Sequence, residues 1–399
     1  MQSPTWLKAN ALNVKGEKML TSLTEEQTAF RQNIIKFARK ELNENMIEKD
    51  VNSEFDRNNW DKCAELGMMS LFVPQEYEGS GTDPSTALMA LEAFSYACKD
   101  TGLVHALVTQ GICEVLLSIF GSESQKKKYF PKLASGKIIA AQAITEPGAG
   151  SDVSSIVSKA EKKDNYYLLN GRKTFTTNGP VADIVFVFIV TDPNKKNFAR
   201  MSCMIVDKDM KGFSRDKPVS KMGLRTLLNG DLIFEDCHIP DHNIVGHEGQ
   251  GMMIFNETIE WERAIMAAAH LGTLERILER SIDYAKTRVQ FGKPISKYQS
   301  ISNKIVDMKV NLELGQLIVR KIGDLKSKNK RAALECSIAK LFISESLKHA
   351  ALDAIQIHGA YGYMKEFEIE RELRDSIAAT IYSGTSEMQK NIIASLSGI

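Results

Sequence analysis

Apolar positions recur at helical spacing through the first third of the chain. The segment from Thr24 to Gln27 reads Thr-Glu-Glu-Gln, in which the threonine can cap a helix and the glutamine can reach back to it. Apolar side chains follow from Phe30 onwards with the spacing of one helix face. The pattern predicts a helical domain over residues 23–140, preceded by an extension over residues 1–22.

Short apolar runs replace the helical pattern after residue 140. They are rich in β-branched and aromatic residues, and they occupy residues 166–169, 183–190, 202–206 and 231–234. Asn170 and Gly171 follow the first run, and because both residue types tolerate positive φ, they predict a two-residue hairpin turn. The pattern therefore predicts a β domain over residues 141–246.

Long amphipathic patterns return in the last third of the chain. The patterns at residues 301–321 and 332–357 predict antiparallel helices of a bundle that fills residues 247–399. A helical domain, a β domain and a helical bundle in this order make the expected fold class α+β multidomain.

The composition of the chain argues against several classes of binding partner. Among 399 residues, 51 basic side chains face 50 acidic ones, so no electrostatic reason favours nucleic acid or an anionic membrane as partner. The six cysteines show no metal-binding spacing, which argues against a metal site or a disulfide framework and for a reducing compartment, the cytoplasm. No segment is expected to reach the roughly 20 apolar residues of a membrane span.

Five motifs carry chemical information, and they occur in a fixed order. The chain reads AITEPGAGSD at residues 143–152, GRKTFTTNG at 171–179, KMGLR at 221–225, RVQFGKPI at 288–295 and QIHGAYGY at 356–363. This series resembles the acyl-CoA dehydrogenase family of flavoproteins. The resemblance implies an N-terminal helical domain, a middle β domain, a C-terminal four-helix bundle and FAD as cofactor.

The resemblance also implies which residues contact the flavin. Thr145 and Thr177 would hydrogen-bond the isoalloxazine edge, and Ser151 would bind the pyrophosphate. Phe175 would pack on the flavin at a place where the family usually has Trp, so an aromatic face is retained. Thr385 would contact the FAD diphosphate from the end of the chain.

A second group of cofactor residues points to a homo-oligomer. Arg288, Gln290 and Phe291 match residues of the family that hold the adenine and pyrophosphate half of FAD. Gln356 and Gly359 match residues that reach the same cofactor from a neighbouring subunit. The resemblance therefore implies a homo-oligomer, a tetramer or a dimer.

The position of the catalytic base departs from the usual family pattern. Residues 381–386 read IYSGTS, so that Ser383 stands where most relatives carry a glutamate base. A serine hydroxyl is neutral at pH 7 and cannot take this role without a neighbouring base. Glu262, in the sequence IEWER, matches the base of the isovaleryl and long-chain branch. The resemblance implies that Glu262 removes the α-proton.

Two other carboxylates compete with Glu262 for this role. At about 100° per residue, Glu260 points roughly 160° and Glu257 roughly 140° away from it, so only one of the three can face a flavin. The resemblance implies that the backbone N–H of Ser383 polarises the thioester carbonyl. It leaves Arg263 as either a substrate contact or a structural residue, and the alternative for Glu262 is a salt-bridged or solvated carboxylate.

The expected reaction is FAD-dependent α,β-dehydrogenation of an acyl thioester, in which flavin N5 accepts the β-hydride. The thioester is either an acyl-CoA or an acyl group on an acyl or peptidyl carrier protein. The sequence Trp261-Glu262-Arg263, with Trp directly before the base, resembles that of the carrier-dependent family members in polyketide and nonribosomal peptide biosynthesis. The electron acceptor is either electron-transferring flavoprotein or oxygen. An oxidase and a catalytically silent flavin- or thioester-binding relative are the alternatives.

Overall fold

The computed structural model describes residues 23–195 and 197–399, so the expected N-terminal extension lies outside the described residues. The N-terminal domain consists of α1 (Glu25–Glu41), α2 (Met46–Asn52), α3 (Arg57–Glu65), α4 (Pro84–Ala97), α5 (Thr101–Phe120) and α6 (Glu123–Ala134). The predicted capping box at the start of α1 is confirmed, because Thr24 and Gln27 each accept the other's backbone N–H.

Helix α5 contradicts one expectation from the sequence. Its 20 residues have a mean hydropathy of 1.8, so by length and composition it is apolar enough to cross a membrane. In the fold, 83% of this apolar window is buried, and the helix packs against the helix that begins at Gly251 and against the central sheet. The expectation that no segment reaches that length was wrong, and α5 is a core helix here.

The middle domain is built on one eight-stranded sheet. Its strands are β1 (Ala140–Ala143), β2 (Lys159–Lys162), β3 (Tyr166–Thr177), β4 (Ile184–Val190), β5 (Met201–Asp207), β6 (Phe213–Arg215), β7 (Asn229–Pro240) and β8 (Ile244–Val245). The strand order is β6-β7-β3-β2-β4-β5-β8, and β1 pairs in parallel with β4. Every residue of β4 is buried, because its two faces pack into different apolar clusters.

The predicted hairpin turn at Asn170 and Gly171 is wrong. Strand β3 runs through both residues, and its register against β7 shifts between Leu169 and Gly171, which marks a β-bulge. The Asn170 amide donates to Asp236 Oδ1 (3.0 Å) and accepts from the Asp236 backbone N–H (2.8 Å). The same residue types suit a bulge and a turn, so the dipeptide alone could not distinguish the two.

The C-terminal domain is helical apart from one short hairpin. It contains α7 (Gly251–Thr287), β9 (Val289–Gln290), β10 (Lys293–Pro294), α8 (Gln299–Ser327), α9 (Ala333–His358), α10 (Ala360–Tyr363), α11 (Ile369–Ile377) and α12 (Ser386–Leu396). Helix α7, about 55 Å long, packs on α4, α5, α8 and α9 and so joins the two helical domains. The predicted α+β class and the helical, β, helical order are confirmed.

Candidate active site

The three acidic side chains near the start of α7 have different partners. Glu260 is buried, accepts the Ala332 backbone N–H (2.7 Å) and pairs with Lys326 (2.5 Å). Glu257 reaches the same lysine at 3.6 Å. Glu262 instead accepts a hydrogen bond from the Ser383 hydroxyl at its Oε1. Of these three carboxylates, Glu262 is the one that contacts the loop of Ser383.

The surroundings of Glu262 affect its pKa in opposite directions. Burial raises the pKa of this carboxyl, whereas the Ser383 hydrogen bond and the positive charges of Arg263 and Lys340 lower it. Lys340 lies on α9, is 1% exposed, and its Nζ has no hydrogen-bond partner among the described residues. Burial lowers the pKa of Lys340 to about 8. The carboxyl is therefore in a desolvated site whose remaining contacts favour its ionised form.

The backbone of Ser383 is held in an unusual conformation. Its φ is +57°, in the left-handed region that few residues other than glycine adopt. Its carbonyl accepts from Arg263 Nε (3.2 Å) and Gln389 Nε2 (3.1 Å). The guanidinium of Arg263 thus stabilises the loop beside the carboxylate. Within the described chain, the backbone N–H of Ser383 has no hydrogen-bond partner.

A buried polar cluster lies next to this loop. The Tyr382 hydroxyl lies 2.7 Å from Nε2 of His105 and 2.7 Å from Nε2 of His270. Nδ1 of His105 must carry its proton, because it faces the Thr101 carbonyl at 2.9 Å and a carbonyl can only accept. Burial lowers the pKa of His105 to about 4, so its Nε2 accepts the tyrosine proton. The tyrosine oxygen then accepts from His270, whose Nδ1 has no partner among the described residues.

Sequence reasoning missed this cluster. His270 contacts a tyrosine 112 positions away, and its Nδ1 has no hydrogen-bond partner among the described residues. The cluster connects α5, α7 and the loop that contains Ser383, so no local pattern could have indicated it.

Strand β3 presents the residues expected to contact the flavin ring. A register shift between Lys173 and Thr176 leaves Phe175 64% exposed with a φ of +55°. Thr177 follows, and its Oγ1 accepts from Asn229 Nδ2 at 2.9 Å. The Thr145 carbonyl accepts the Thr174 N–H at 2.8 Å, which places Thr145 beside the same strand. An exposed aromatic face next to two threonines fits a planar, hydrogen-bonding ring such as the flavin.

The turn that carries Ser151 is anchored by a buried ion pair. Glu146 pairs with Lys173 at 2.7 Å, and both side chains are almost fully buried. The Glu146 carboxylate also accepts the backbone N–H groups of Val157 (2.7 Å) and Ser158 (3.0 Å). Sequence reasoning gave Glu146 no role. Its partners indicate that it holds the turn in place while Ser151 stays exposed at the turn's surface.

The remaining predicted cofactor residues lie near the C-terminal ends of α7 and α9. These five residues are Arg288, Gln290, Phe291, Gln356 and Gly359. All are exposed, Phe291 to 94%. Arg288 follows α7 directly, about 39 Å along the helix from Glu262 at 1.5 Å per residue, and its guanidinium lies 5.8 Å from the centre of the Tyr361 ring.

Thr385 lies close to Ser383 and Glu262, away from those five residues. It caps α12, where its Oγ1 accepts the Met388 N–H at 3.3 Å, and it lies two residues after Ser383. One chain therefore brings Glu262, Ser383 and Thr385 together but leaves the second group of cofactor residues at the far end of α7.

Matches to known protein families extend over nearly the whole chain. Three sequence models match, namely those of the acyl-CoA dehydrogenase N-terminal domain at residues 24–137, the middle domain at 141–237 and the C-terminal domain at 249–397.

Individual relatives extend over similar lengths. An L-prolyl-[peptidyl-carrier protein] dehydrogenase from Pseudomonas fluorescens is 40% identical over 85% of this chain and 90% of its own length. The crystal structure of the prolyl acyl carrier protein oxidase AnaB is 42% identical, with a TM-score of 0.93 over 95% of this chain and 100% of its own. The FAD complex of PigA is 33% identical, with a TM-score of 0.92 over 94% of this chain and 98% of its own.

Proposed function

Because the chain belongs to the acyl-CoA dehydrogenase family of FAD-dependent oxidoreductases that act on CH–CH bonds, we propose that it dehydrogenates an acyl thioester with Glu262 as the base. The observation that carries this proposal is the partly buried hydrogen bond between the Glu262 carboxyl and the Ser383 hydroxyl. The carboxylates that compete with Glu262 are instead engaged with Lys326.

The proposed chemistry assigns each group near Glu262 a separate role. Glu262 takes the α-proton, so the Cα–H bond breaks and its electron pair forms the Cα–Cβ double bond while a hydride leaves Cβ. Bound FAD supplies the two-electron acceptor for that hydride. The backbone N–H of Ser383 donates to the thioester carbonyl as negative charge develops on its oxygen. Arg263 holds the Ser383 carbonyl, so the N–H on the adjoining peptide keeps its direction.

For the substrate, we propose an acyl group on a carrier protein, with the prolyl group as the first candidate. The support is the names of two relatives that are at least 40% identical, one a prolyl-carrier dehydrogenase and the other a prolyl carrier oxidase. Trp261, one residue before the base, packs edge-on against Phe72 with ring centres 6.2 Å apart, and Lys326 lies 4.8 Å from its ring. Acyl-CoA is the alternative substrate.

Anaerobic bleaching of the flavin absorbance tests both the reaction and the substrate. We expect rapid bleaching by L-prolyl thioester on a phosphopantetheinylated carrier protein and slower bleaching by the CoA thioester. Fast bleaching by acyl-CoA alone would refute the proposed carrier. A flavin that stays oxidised with every thioester would refute dehydrogenation and favour a silent flavin-binding relative.

The electrons from the reduced flavin can pass to an electron-transferring flavoprotein or to oxygen. AnaB is an oxidase. We propose that this chain passes its electrons to an electron-transferring flavoprotein, and the support is a 35% identical chain, matched over 95% of this one, from a structure described as the electron-transferring flavoprotein of Acidaminococcus fermentans. Stoichiometric hydrogen peroxide during turnover in air, without an added acceptor, would show that it is an oxidase instead.

We also propose that the chain works as a homo-oligomer. Arg288 lies about 39 Å along α7 from Glu262, so a complete cofactor site would need the far end of a second chain. Helix α8 carries a stripe of apolar residues at helical spacing, each 46–56% exposed: Val306, Val310, Leu314 and Leu317. Such a stripe fits a helix–helix interface. Light scattering that gives a monomer with full FAD occupancy would contradict this.

A further inference from the structure

We propose that the Ser383 side chain is a positioning residue for the base: its hydroxyl holds Oε1 of Glu262 so that Oε2 meets the α-proton of the substrate. This inference rests on the proposed function. It gives Ser383 a role in addition to that of its backbone N–H, because the residue in the usual place of the base now orients the carboxylate that replaces it.

The direction of the hydrogen bond determines its effect. An ionised carboxylate can only accept, so the Ser383 hydroxyl is the donor and favours the charged form of Glu262. Burial favours the neutral form, which cannot remove a proton. The hydroxyl therefore opposes the effect of burial at the one carboxyl that must be ionised for catalysis.

The loop leaves the hydroxyl little freedom to turn away. Two side chains hold the Ser383 carbonyl, Arg263 at 3.2 Å and Gln389 at 3.1 Å, and Gln389 also donates to the Gly384 carbonyl at 2.9 Å. Ser383 keeps a side chain although its φ of +57° would suit glycine better. Strain of this kind persists where the surroundings fix the residue, and it is concentrated at functional sites.

Groups from four elements surround the Glu262 carboxyl. Arg263 on α7 and Lys340 on α9 both lower its pKa through their positive charges. Tyr382 in the loop and Cys113 on α5 are neutral near pH 7, because burial raises the pKa of each well above its ordinary value. Ser383 is thus the described neighbour that acts on Glu262 through a side-chain hydrogen bond, whereas the cations act through charge.

The test is the pH dependence of flavin reduction in Ser383→Ala, Ser383→Gly and Ser383→Cys. The acid limb of the rate should move to higher pH by about one to two units in Ala and Gly, which is the effect of losing a hydrogen bond to a charged group. Cys, with a weak S–H donor, should fall in between. The Gly variant also relieves the backbone strain and keeps the N–H, so it separates the hydroxyl from the loop conformation.

Ser386→Ala is the matched control, because the Ser386 hydroxyl donates to Glu345 at 2.6 Å, a bond of the same type three residues away. Its acid limb should coincide with that of the wild type. Equal FAD content in all variants shows that the fold is intact. An unchanged limb in both Ser383→Ala and Ser383→Gly would overturn the proposal.

A second readout does not depend on catalysis. Infrared difference spectra of Glu262 titrated with pH, assigned by comparison with Glu262→Gln, should show protonation at higher pH in Ser383→Ala than in the wild type. A shift in a protein that bleaches with no thioester would refute the proposed function but support the hydrogen bond. The absence of a shift in an active enzyme would refute only the positioning role.

Discussion

Replacing Tyr382 with Phe removes one oxygen atom from the buried cluster of His105, Tyr382 and His270. That oxygen donates to Nε2 of His105 and accepts from Nε2 of His270, each at 2.7 Å. The aromatic ring remains, so the packing changes little. The two imidazoles are 3% and 2% exposed, and each loses the partner of its Nε2.

The expected cost follows from those two lost partners. A buried polar group left without a hydrogen bond costs about 1–3 kcal/mol, so Tyr382→Phe should destabilise the protein by about 2–6 kcal/mol. This is a large share of the 5–15 kcal/mol that is typical of folded proteins.

Equilibrium urea unfolding of the FAD-loaded protein at pH 7.5 measures the change. Tyr363→Phe is the control, because Tyr363 is 83% exposed and the loss of its hydroxyl should change the free energy of unfolding little. If Tyr382→Phe were as mild as this control, the assignment of two stabilising hydrogen bonds to the Tyr382 hydroxyl would be refuted.

Three further predictions concern pH, the β domain and assembly. Burial holds the pKa of His105 at about 4 and that of His270 well below 6.5, so the unfolded chain binds more protons below pH 6.5. The free energy of unfolding measured in urea should therefore fall as the pH drops from 6.5 towards 4, by up to about 1.4 kcal/mol per pH unit for each histidine, and a free energy that does not change with pH would contradict this. Lys173→Met leaves Glu146 as a buried unpaired charge, so urea unfolding should show a loss of about 3–5 kcal/mol and absorbance a lower FAD content. Leu314→Glu should reduce the oligomer mass measured by light scattering, and an unchanged mass would place the interface elsewhere.

The parts of the fold that follow from local periodicity could be predicted from the sequence. The capping box at Thr24 depends on residues three apart, and the divergence of Glu257, Glu260 and Glu262 depends only on the 100° step of a helix. Both agree with the structure. The prediction at Asn170 failed, because a bulge and a turn need the same backbone freedom. Only the pairing with the neighbouring strand distinguishes the two.

The finer geometry of the site could not be predicted, because it depends on contacts between distant segments. The Ser383 hydroxyl meets Glu262 across 121 positions, and Tyr382 joins His105 across 277. The resemblance identified Ser383 as the place of a missing base and as a backbone donor, but gave its side chain no role. The contact between the Ser383 hydroxyl and Glu262 could be seen only in the folded structure, because the loop brings the two residues together.

The role of Glu262 as the base is decided by the rate of anaerobic flavin reduction in Glu262→Gln with a saturating prolyl carrier thioester. The expected loss is at least about 100-fold, the low end for removing a general base, with FAD still bound. Glu257→Gln, the same change five residues earlier on α7, should leave the rate unchanged. Undiminished reduction in Glu262→Gln would contradict the assignment of the base.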